Sequence, residues 1–384
     1  MTQARPIVML DALVDNDYSL CLCNGLVEAG ADIRLVTVEG RRVALPVAFP
    51  MLGWAPPKAG PRGAVAKFVH YLRYWRRVLA LGRSIRRQGG VLHFQFFRRE
   101  RIDSLFVVLL HWMGVRLVHT AHNIVPHEHS PIDRRLKRLV YRSVDGIVVH
   151  SAYIKRALLE AFDVPADKVH VVPHGNFDHY LPEVLPDRQA ARASLGLEPG
   201  DTVLLFFGYI RKYKGLDLLL DAFEQVAAAQ PGARLVIAGQ PHTAAEAAEY
   251  RDRIERHPAA SRIIFHGRFI ENSEVAAYFT AADLVALPYR HIYHSGLVHL
   301  AFSFGKAVIA TRVGDFPETI DDGETGLLVE GGSPAALASG ILDAIADPDH
   351  LHMMGARARH ISATRYAWKD IGEQTRAVYA SLDR

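Results

Sequence analysis

Short apolar runs alternate with amphipathic stretches along the whole chain, and that alternation constrains the fold more than any other feature. In the first half the runs fall at 7–10, 33–38, 91–96, 116–120, 146–149 and 169–172. In the second half they fall at 202–207, 234–238, 263–266, 284–286, 307–310 and 326–329. Between them, segments such as 18–29, 153–161, 216–229 and 244–257 repeat apolar residues at helical steps. A parallel strand covered on both faces reads as an unbroken apolar run, and its crossover needs a helix. Two sets of six runs therefore predict an α/β chain with two Rossmann-like, doubly wound parallel-sheet domains facing a cleft. The domains are expected at 1–178 and 201–366. Pro182, Pro186, Pro199 and Gly200 mark 179–200 as a linker with a polar helical piece at 188–195. The tail 367–384 reads as a further helix.

Length agrees with more than one core, since 384 residues exceed what a single domain usually holds. No run approaches the ~20 apolar residues of a membrane span. The run at 7–10 is too short for a signal-peptide core and reads as a buried first strand. Cys21 and Cys23 sit two apart on a helical stretch and point in different directions, which disfavours a disulfide or a metal pair. They fit small core residues in a reducing, cytoplasmic protein. Net charge is only +4, yet Arg62, Lys67, Arg73, Arg76, Arg77, Arg83, Arg86 and Arg87 crowd 61–87 without one Asp or Glu.

In open α/β sheets ligands sit beyond the carboxyl ends of the strands, so chemistry is expected in the loops that follow them. Phe207-Gly208-Tyr209-Ile210-Arg211-Lys212-Tyr213-Lys214-Gly215 follows a strand and precedes a helix. Gly208 allows a close turn, and Arg211 and Lys214 place two cations where a diphosphate leaving group would gather charge. A solvated surface loop would use the same residues. Tyr293-His294-Ser295-Gly296-Leu297 opens a helix; the amides near Ser295, Gly296 and Leu297 would bind an anion, or Ser295 would serve as a plain cap. Gly314-Asp315-Phe316-Pro317-Glu318 forms a third loop and helix start.

In this order and spacing the three segments resemble the second half of GT-B glycosyltransferases of the large family four. Gly208, Arg211, Lys214 and Gly215 match the family's G-x-x-R-x-x-K-G element, and Gly305-Lys306-Ala307-Val308-Ile309-Ala310 and Gly314 to Glu318 match its next blocks. The resemblance implies that Arg211 and Lys214 hold the donor diphosphate. It places the base at Gly267-Arg268-Phe269-Ile270, and Tyr293, Ser295, Gly296 and Leu297 beside the donor. Tyr366-Ala367-Trp368 resembles the family's aromatic-Ser-Trp element, whose helix often crosses back to the first domain. One departure stands out. Most relatives carry two Glu residues eight apart, and by register these fall at Tyr293 and Ala301. Another group replaces the pair, the donor is held differently, or activity is weak; a branch with Ser-Gly-Leu-Val and Ser-Phe-Gly-Lys does without the pair, which favours replacement. Retention of configuration is implied by the resemblance alone.

In the first half, His119-Thr120-Ala121-His122-Asn123-Ile124-Val125-Pro126-His127-Glu128 resembles the family's H-x-x-H-N-x-x-P-H-E variant, which implies that His122 touches the donor sugar. A metal site on these histidines is disfavoured, because no Cys or carboxylate triad accompanies them. The 11–18 loop lacks the glycines of a dinucleotide fingerprint, which argues against NAD. Its Asp15-Asn16-Asp17 suits an Asx turn capping the next helix. If the reaction inverts, Asp15 or Asp17 could be the general base. Pro173-His174-Gly175-Asn176 resembles the family's P-H-G-N block and equally suits a turn. Arginines of 61–87 interleave with Tyr71, Tyr74 and Trp75 on a helical pattern, which suits an anionic membrane surface or a basic rim on a packed helix. No motif for nucleic acid accompanies the charge.

The expectation is a metal-independent, cofactor-free hexosyltransferase, cytoplasmic and peripheral on the inner membrane face. It would move a sugar from a UDP- or GDP-sugar to a polyprenyl-diphosphate-linked saccharide in exopolysaccharide biosynthesis. An epimerase or phosphorylase on the same architecture, a non-catalytic partner and a nucleic-acid binder are the alternatives.

Overall fold

The computed structural model describes residues 5–13, 17–41, 45–55, 63–97, 99–124 and 131–382. They form two compact units. One comprises the chain up to Gly175 together with Tyr366 onward, the other Asn176–Arg365.

The first unit runs β1 (Ile7–Asp11), α1 (Tyr18–Glu28), β2 (Ile33–Val38), β3 (Met51–Ala55), α2 (Ala64–Arg87) and β4 (Val91–Phe96). It continues with α3 (Glu100–Trp112), β5 (Arg116–Thr120), α4 (Pro131–Ser143), β6 (Gly146–Val149), α5 (Ala152–Ala161) and β7 (Val169–Val171). The strands form one parallel sheet in the order β3-β2-β1-β4-β5-β6-β7. The sheet has seven strands where the apolar runs indicated six. The extra strand, β3, is an edge strand whose residues are mostly half-exposed, so it lacks the continuous apolar signature of a doubly covered strand.

The second unit runs α6 (Arg188–Ser194), β8 (Thr202–Phe207), α7 (Leu216–Ala229), β9 (Ala233–Ala238), α8 (Ala244–Glu255), β10 (Ile263–His266) and α9 (Asn272–Ala281). Then come β11 (Leu284–Leu287), α10 (Gly296–Ser303), β12 (Ala307–Thr311), α11 (Phe316–Thr319), β13 (Gly326–Val329), α12 (Pro334–Ala346) and α13 (Pro348–Thr364). Its six parallel strands lie in the order β10-β9-β8-β11-β12-β13. The 179–200 stretch is part of this unit: α6 packs on α9, and the Arg192 guanidinium donates to Asp283 at 2.8 Å. A buried layer from Leu204, Phe206, Leu219, Phe223, Leu235 and Ile237 forms its core.

The last helix, α14 (Trp368–Ser381), returns to the first unit and packs along α1. Two glycines permit this contact. A Cβ on Gly25 would stand 2.0 Å from the Trp368 carbonyl oxygen, and one on Gly372 would stand 2.3 Å from the Gly25 backbone. Both distances are far inside van der Waals contact, so any side chain forces the helices apart. Cys21 and Cys23 lie buried in α1, as core residues.

On the helices that follow β3, β4 and β5 the burial differs from the helical-wheel reading of 61–87. Tyr71, Tyr74 and Trp75 are buried. Trp75 stacks on Phe106 at 4.2 Å and donates to Asp103 at 3.1 Å. The exposed side chains of α2 are instead Val65, Phe68, Val69 and Leu72, together with its arginines. Neighbouring α3 carries a second exposed apolar stripe, Ile102, Leu105, Leu109 and Trp112, the last 79% exposed. On α4, Arg134, Arg135, Arg138 and Arg142 are exposed beside Leu139. No helix among the described residues is long and apolar enough to cross a membrane.

Gly372→Ala should lower stability by about 1–3 kcal/mol, the usual cost of overpacking. Urea denaturation followed by circular dichroism measures it, and an unchanged midpoint would contradict the backbone contact.

Candidate active site

In the second unit the chain leaves β8 and turns at Gly208, where φ is +91°. A Cβ there would lie 3.4 Å from Lys214 Nζ and 3.5 Å from the Leu297 side chain. This glycine therefore sits where the lysine ammonium and the first turn of α10 meet the strand end. Gly215 has φ +69°, and a Cβ on it would be 2.0 Å from the Pro288 carbonyl oxygen. One on Gly239 would be 1.9 Å from the Gly208 oxygen. The loops after β8, β9 and β11 thus press backbone on backbone. The Ile210 N–H donates to Gln240 O at 2.9 Å, and Arg290 N–H to Tyr213 O at 2.7 Å.

That packing encloses Lys214, which is 8% exposed, with its ammonium 5.5 Å from the Tyr289 ring centre. Burial pushes its pKa down to about 8; the Tyr213 phenol opposes the shift and the Arg211 cation adds to it. Arg211 is partly exposed in the same loop. An ammonium so placed is poorly solvated and strongly attracts an anion.

Ser295 begins α10 in extended conformation, and its hydroxyl accepts from Leu297 N–H at 3.4 Å. The serine-cap reading therefore holds, and the Leu297 amide is shared with the hydroxyl, so the helix start presents fewer amides than expected. A Cβ on Gly296 would strike the Phe177 ring at 2.9 Å. Tyr293 is partly buried in the same loop. Next to it, His294 Nδ1 lies 2.7 Å from the buried Asp315 carboxylate. A Cβ on Gly314 would stand 2.2 Å from Ile292 O, which packs the Asp315–Glu318 block against the 290–295 loop. Ala301 is wholly buried. After β10, Ile270 is buried while Phe269 is 46% exposed, 6.4 Å between ring centres from Tyr209, itself 52% exposed.

In the first unit His122 lines a cavity of about 230 Å³ with Gln95, His119, Glu100 and Lys137. Its ring stacks on Phe96 at 4.1 Å and meets the Tyr18 ring edge at 4.7 Å. His150 Nδ1 is 3.1 Å from Val172 O, and because a carbonyl can only accept, Nδ1 carries the proton. Its Nε2 lies 3.1 Å from His122 Nδ1, and accepts from it when His150 is neutral. The other His122 nitrogen lies 3.0 Å from Gln95 Oε1. Either one of the two rings is a cation there, or the Gln95 amide is turned to donate. His119 and His93 are buried, and desolvation holds both near pKa 3, so they stay neutral. Sequence reasoning named His122 but missed Gln95 and His150, because these partners come from other strands and form no local motif.

Asp15, His127 and Glu128 lie outside the described residues. Asp17 occupies the N-cap position of α1 but its side chain makes no capping bond there. The Asx-turn reading therefore does not hold at Asp17, and its Asp15 and Asn16 lie outside the described residues. The organising carboxylate is Asp11, at the end of β1. It accepts from Leu13 N–H at 2.9 Å and from Arg41 at 3.1 Å, both side chains fully buried. Burial raises its pKa against the opposing pull of Arg41. His174 Nδ1 lies 2.6 Å from Gly175 O.

With this geometry in hand, comparison with known proteins is direct. The family described as "Glycosyltransferase Family 4" matches residues 18–176, and "Glycosyl transferases group 1" matches residues 187–361. A D-inositol 3-phosphate glycosyltransferase of Corynebacterium aurimucosum is 31% identical over 323 residues, covering 76% of this chain and 75% of that protein. The Segniliparus rotundus protein of the same name is 31% identical over 294 residues, 71% of this chain. The match spans less than two thirds of that relative, 62% of its length. Among solved structures, sucrose-phosphate synthase from Thermosynechococcus elongatus is similar at TM-score 0.74 and 19% identity, over 99% of both chains. Anabaena HepE, solved in complex with UDP and glucose, is similar at TM-score 0.75 and 18% identity, over 98% of this chain and 99% of that one. At such identities the structures speak to the fold.

A pKa near 8 in place of 10.5 means the folded protein binds the Lys214 proton less well than the unfolded chain does. The penalty, about 3 kcal/mol, is fully present below pH 8 and fades as pH rises towards 10.5. Lys214→Met should therefore raise the melting temperature at pH 7, less so at pH 10. Thermal melts at both values check this, and a destabilised variant at pH 7 would contradict it.

Proposed function

We propose a function from one premise: the chain belongs to the glycosyl transferases group 1 family, and is a glycosyltransferase with two Rossmann-like domains. On that premise the donor is a nucleoside diphosphate sugar, with UDP favoured over GDP because HepE was solved with UDP. The observation that carries the reading is the buried Lys214 ammonium beside Gly208, with Arg211 in the same loop and the start of α10 opposite. A leaving diphosphate gains negative charge as the sugar bond breaks, and cations fixed in a poorly hydrated site stabilise that charge without reorganising. Gly208, Ser295, Gly296 and Leu297 complete the phosphate end. Tyr293 borders it. Phe269 and Ile270 offer the base an apolar rim. His122 is our candidate for the sugar in the first unit, held by Gln95 and His150. Asp17 remains a candidate base only for an inverting course, and we favour retention from family resemblance.

Arg211→Ala and Lys214→Met should each cut turnover of the UDP-sugar by about a hundredfold or more while circular dichroism stays unchanged. Near-wild-type turnover in both would sink the assignment. Incubation with donor alone separates transfer from epimerisation, which would isomerise the sugar without an acceptor.

For the acceptor, two readings rest on different observations. The relatives' names favour a small phosphorylated polyol. The exposed apolar stripes of α2 and α3, with arginines on α2 and α4 and few acids, favour a lipid-linked saccharide met at an anionic bilayer. In flotation with vesicles containing phosphatidylglycerol, the protein should rise with the lipid. Substituting Phe68, Leu105 and Trp112 by Ser should release it, and neutral vesicles should not capture it. Equal behaviour of wild type and variant would remove the membrane reading and favour the phosphorylated polyol.

A further inference from the structure

A second cavity in the Asn176–Arg365 unit, about 320 Å³, shares no residue with the loops described above. Thr202 and Ala307, the first residues of β8 and β12, line it, as does Asp283 just before β11. It therefore lies at the amino ends of the strands, the opposite end of the sheet from Lys214 and Ser295.

Its charge is unbalanced. α6 supplies Arg188 and Arg192, the turn before β12 supplies Lys306, and α13 supplies an exposed His352. Two carboxylates line the cavity. Asp201 is already paired with Arg234, which is not a lining residue, at 3.0 Å, and accepts from Glu198 N–H at 2.8 Å. That leaves Asp283 to face three cations. It accepts from Arg192 at 2.8 Å, from Val203 N–H at 2.7 Å, and from Arg188. Beside the cavity, Asp347 caps α13 through His350 N–H at 2.9 Å, and Asp349 is exposed on the first turn of that helix.

Lys306 is the sharpest member. Its ammonium donates to Ala282 O at 2.9 Å, the one hydrogen bond it makes among the described residues, and an ammonium has three N–H groups. Burial first, and then Arg188, lower its pKa to about 8, with Asp283 pulling the other way and Arg192 adding to the decrease. The group lacks negative charge, and a doubly charged anion would supply it. Arg188, half exposed at the mouth, offers the planar fork that grips phosphate oxygens.

We propose that this cavity binds a phosphate-type anion, either free phosphate or the phosphate group of a small phosphorylated molecule, separately from the sugar donor. The site goes beyond the transfer reaction and does not depend on it.

Isothermal titration of the full chain in chloride buffer tests it, with inorganic phosphate as one probe and glycerol 3-phosphate as another, each with and without excess UDP. A saturable site that persists with UDP present is expected. Lys306→Met and Arg188→Ala should each weaken phosphate at least tenfold and leave UDP binding unchanged. Arg188→Ala removes only a half-exposed side chain, so it keeps the test decisive if Lys306→Met does not fold. Tenfold tighter glycerol 3-phosphate would point to a phosphorylated molecule, and equal affinities to free phosphate. Phosphate binding that UDP abolishes, that neither substitution changes, or that cannot be detected would overturn the proposal.

Discussion

Lys214 has to be buried as a cation, and the backbone around it can be read as the means of doing so. An ammonium in an apolar setting destabilises the fold unless something compensates, and here the Tyr289 ring face and the Tyr213 phenol do so in part. The loops can close over it because Gly208, Gly215 and Gly239 carry no Cβ. Each allows a backbone approach or a positive φ that another residue would oppose. The same closeness brings the start of α10 to the lysine. A group that weakens the folded state yet survives in a loop at the carboxyl ends of strands is what a stability–activity trade-off looks like in a binding site.

The first unit uses hydrogen bonds where the second uses cost. His122 is held between Gln95 and His150, and the Val172 carbonyl, which can only accept, fixes the proton on His150 Nδ1. The chain Val172–His150–His122–Gln95 crosses from strand end to strand end, so its geometry depends on sheet register more than on any one loop. α14 supports that register from the other side. Trp368 packs on the Tyr18 ring at 5.3 Å, and Tyr18 in turn meets His122 and His150. A residue near the end of the sequence thereby steadies a ring at position 122.

Much of this was legible in the sequence, for reasons that differ from place to place. Strands such as Val91–Phe96 and Thr202–Phe207 are buried on both faces, so their composition alone marks them. Gly208, Arg211 and Lys214 could be read because turn, cation and helix start are local. β3 could not, since an edge strand with Gly53 and half-exposed neighbours lacks the apolar run. The interleaved arginines and aromatics of α2 suited a membrane surface and a packed helix alike, and the stack of Trp75 on Phe106 of α3 shows which ring is covered while Leu72 stays exposed. Asp11 and Arg41 lie thirty positions apart, and their pairing is created by the adjacency of β1 and β2. Asp17 has the better cap spelling and does not cap.

Ala301 sharpens what the donor grip requires. It is wholly buried, and its carbonyl accepts from both Phe304 N–H and Lys306 N–H as α10 ends. A carboxylate placed there would lose its water with no cation positioned by these bonds to receive it, a cost of several kcal/mol in a packed interior. An alanine is therefore consistent with the packing, and a ribose carboxylate would need a looser helix. The exposed rings of Tyr209 and Phe269 offer a different kind of contact, apolar area for a base in place of hydrogen bonds for a sugar. On that reading selectivity for the base comes from shape and backbone groups near Ile270. In the proposed donor site affinity comes from the diphosphate, which leaves Lys214 and Arg211 carrying most of the electrostatic work.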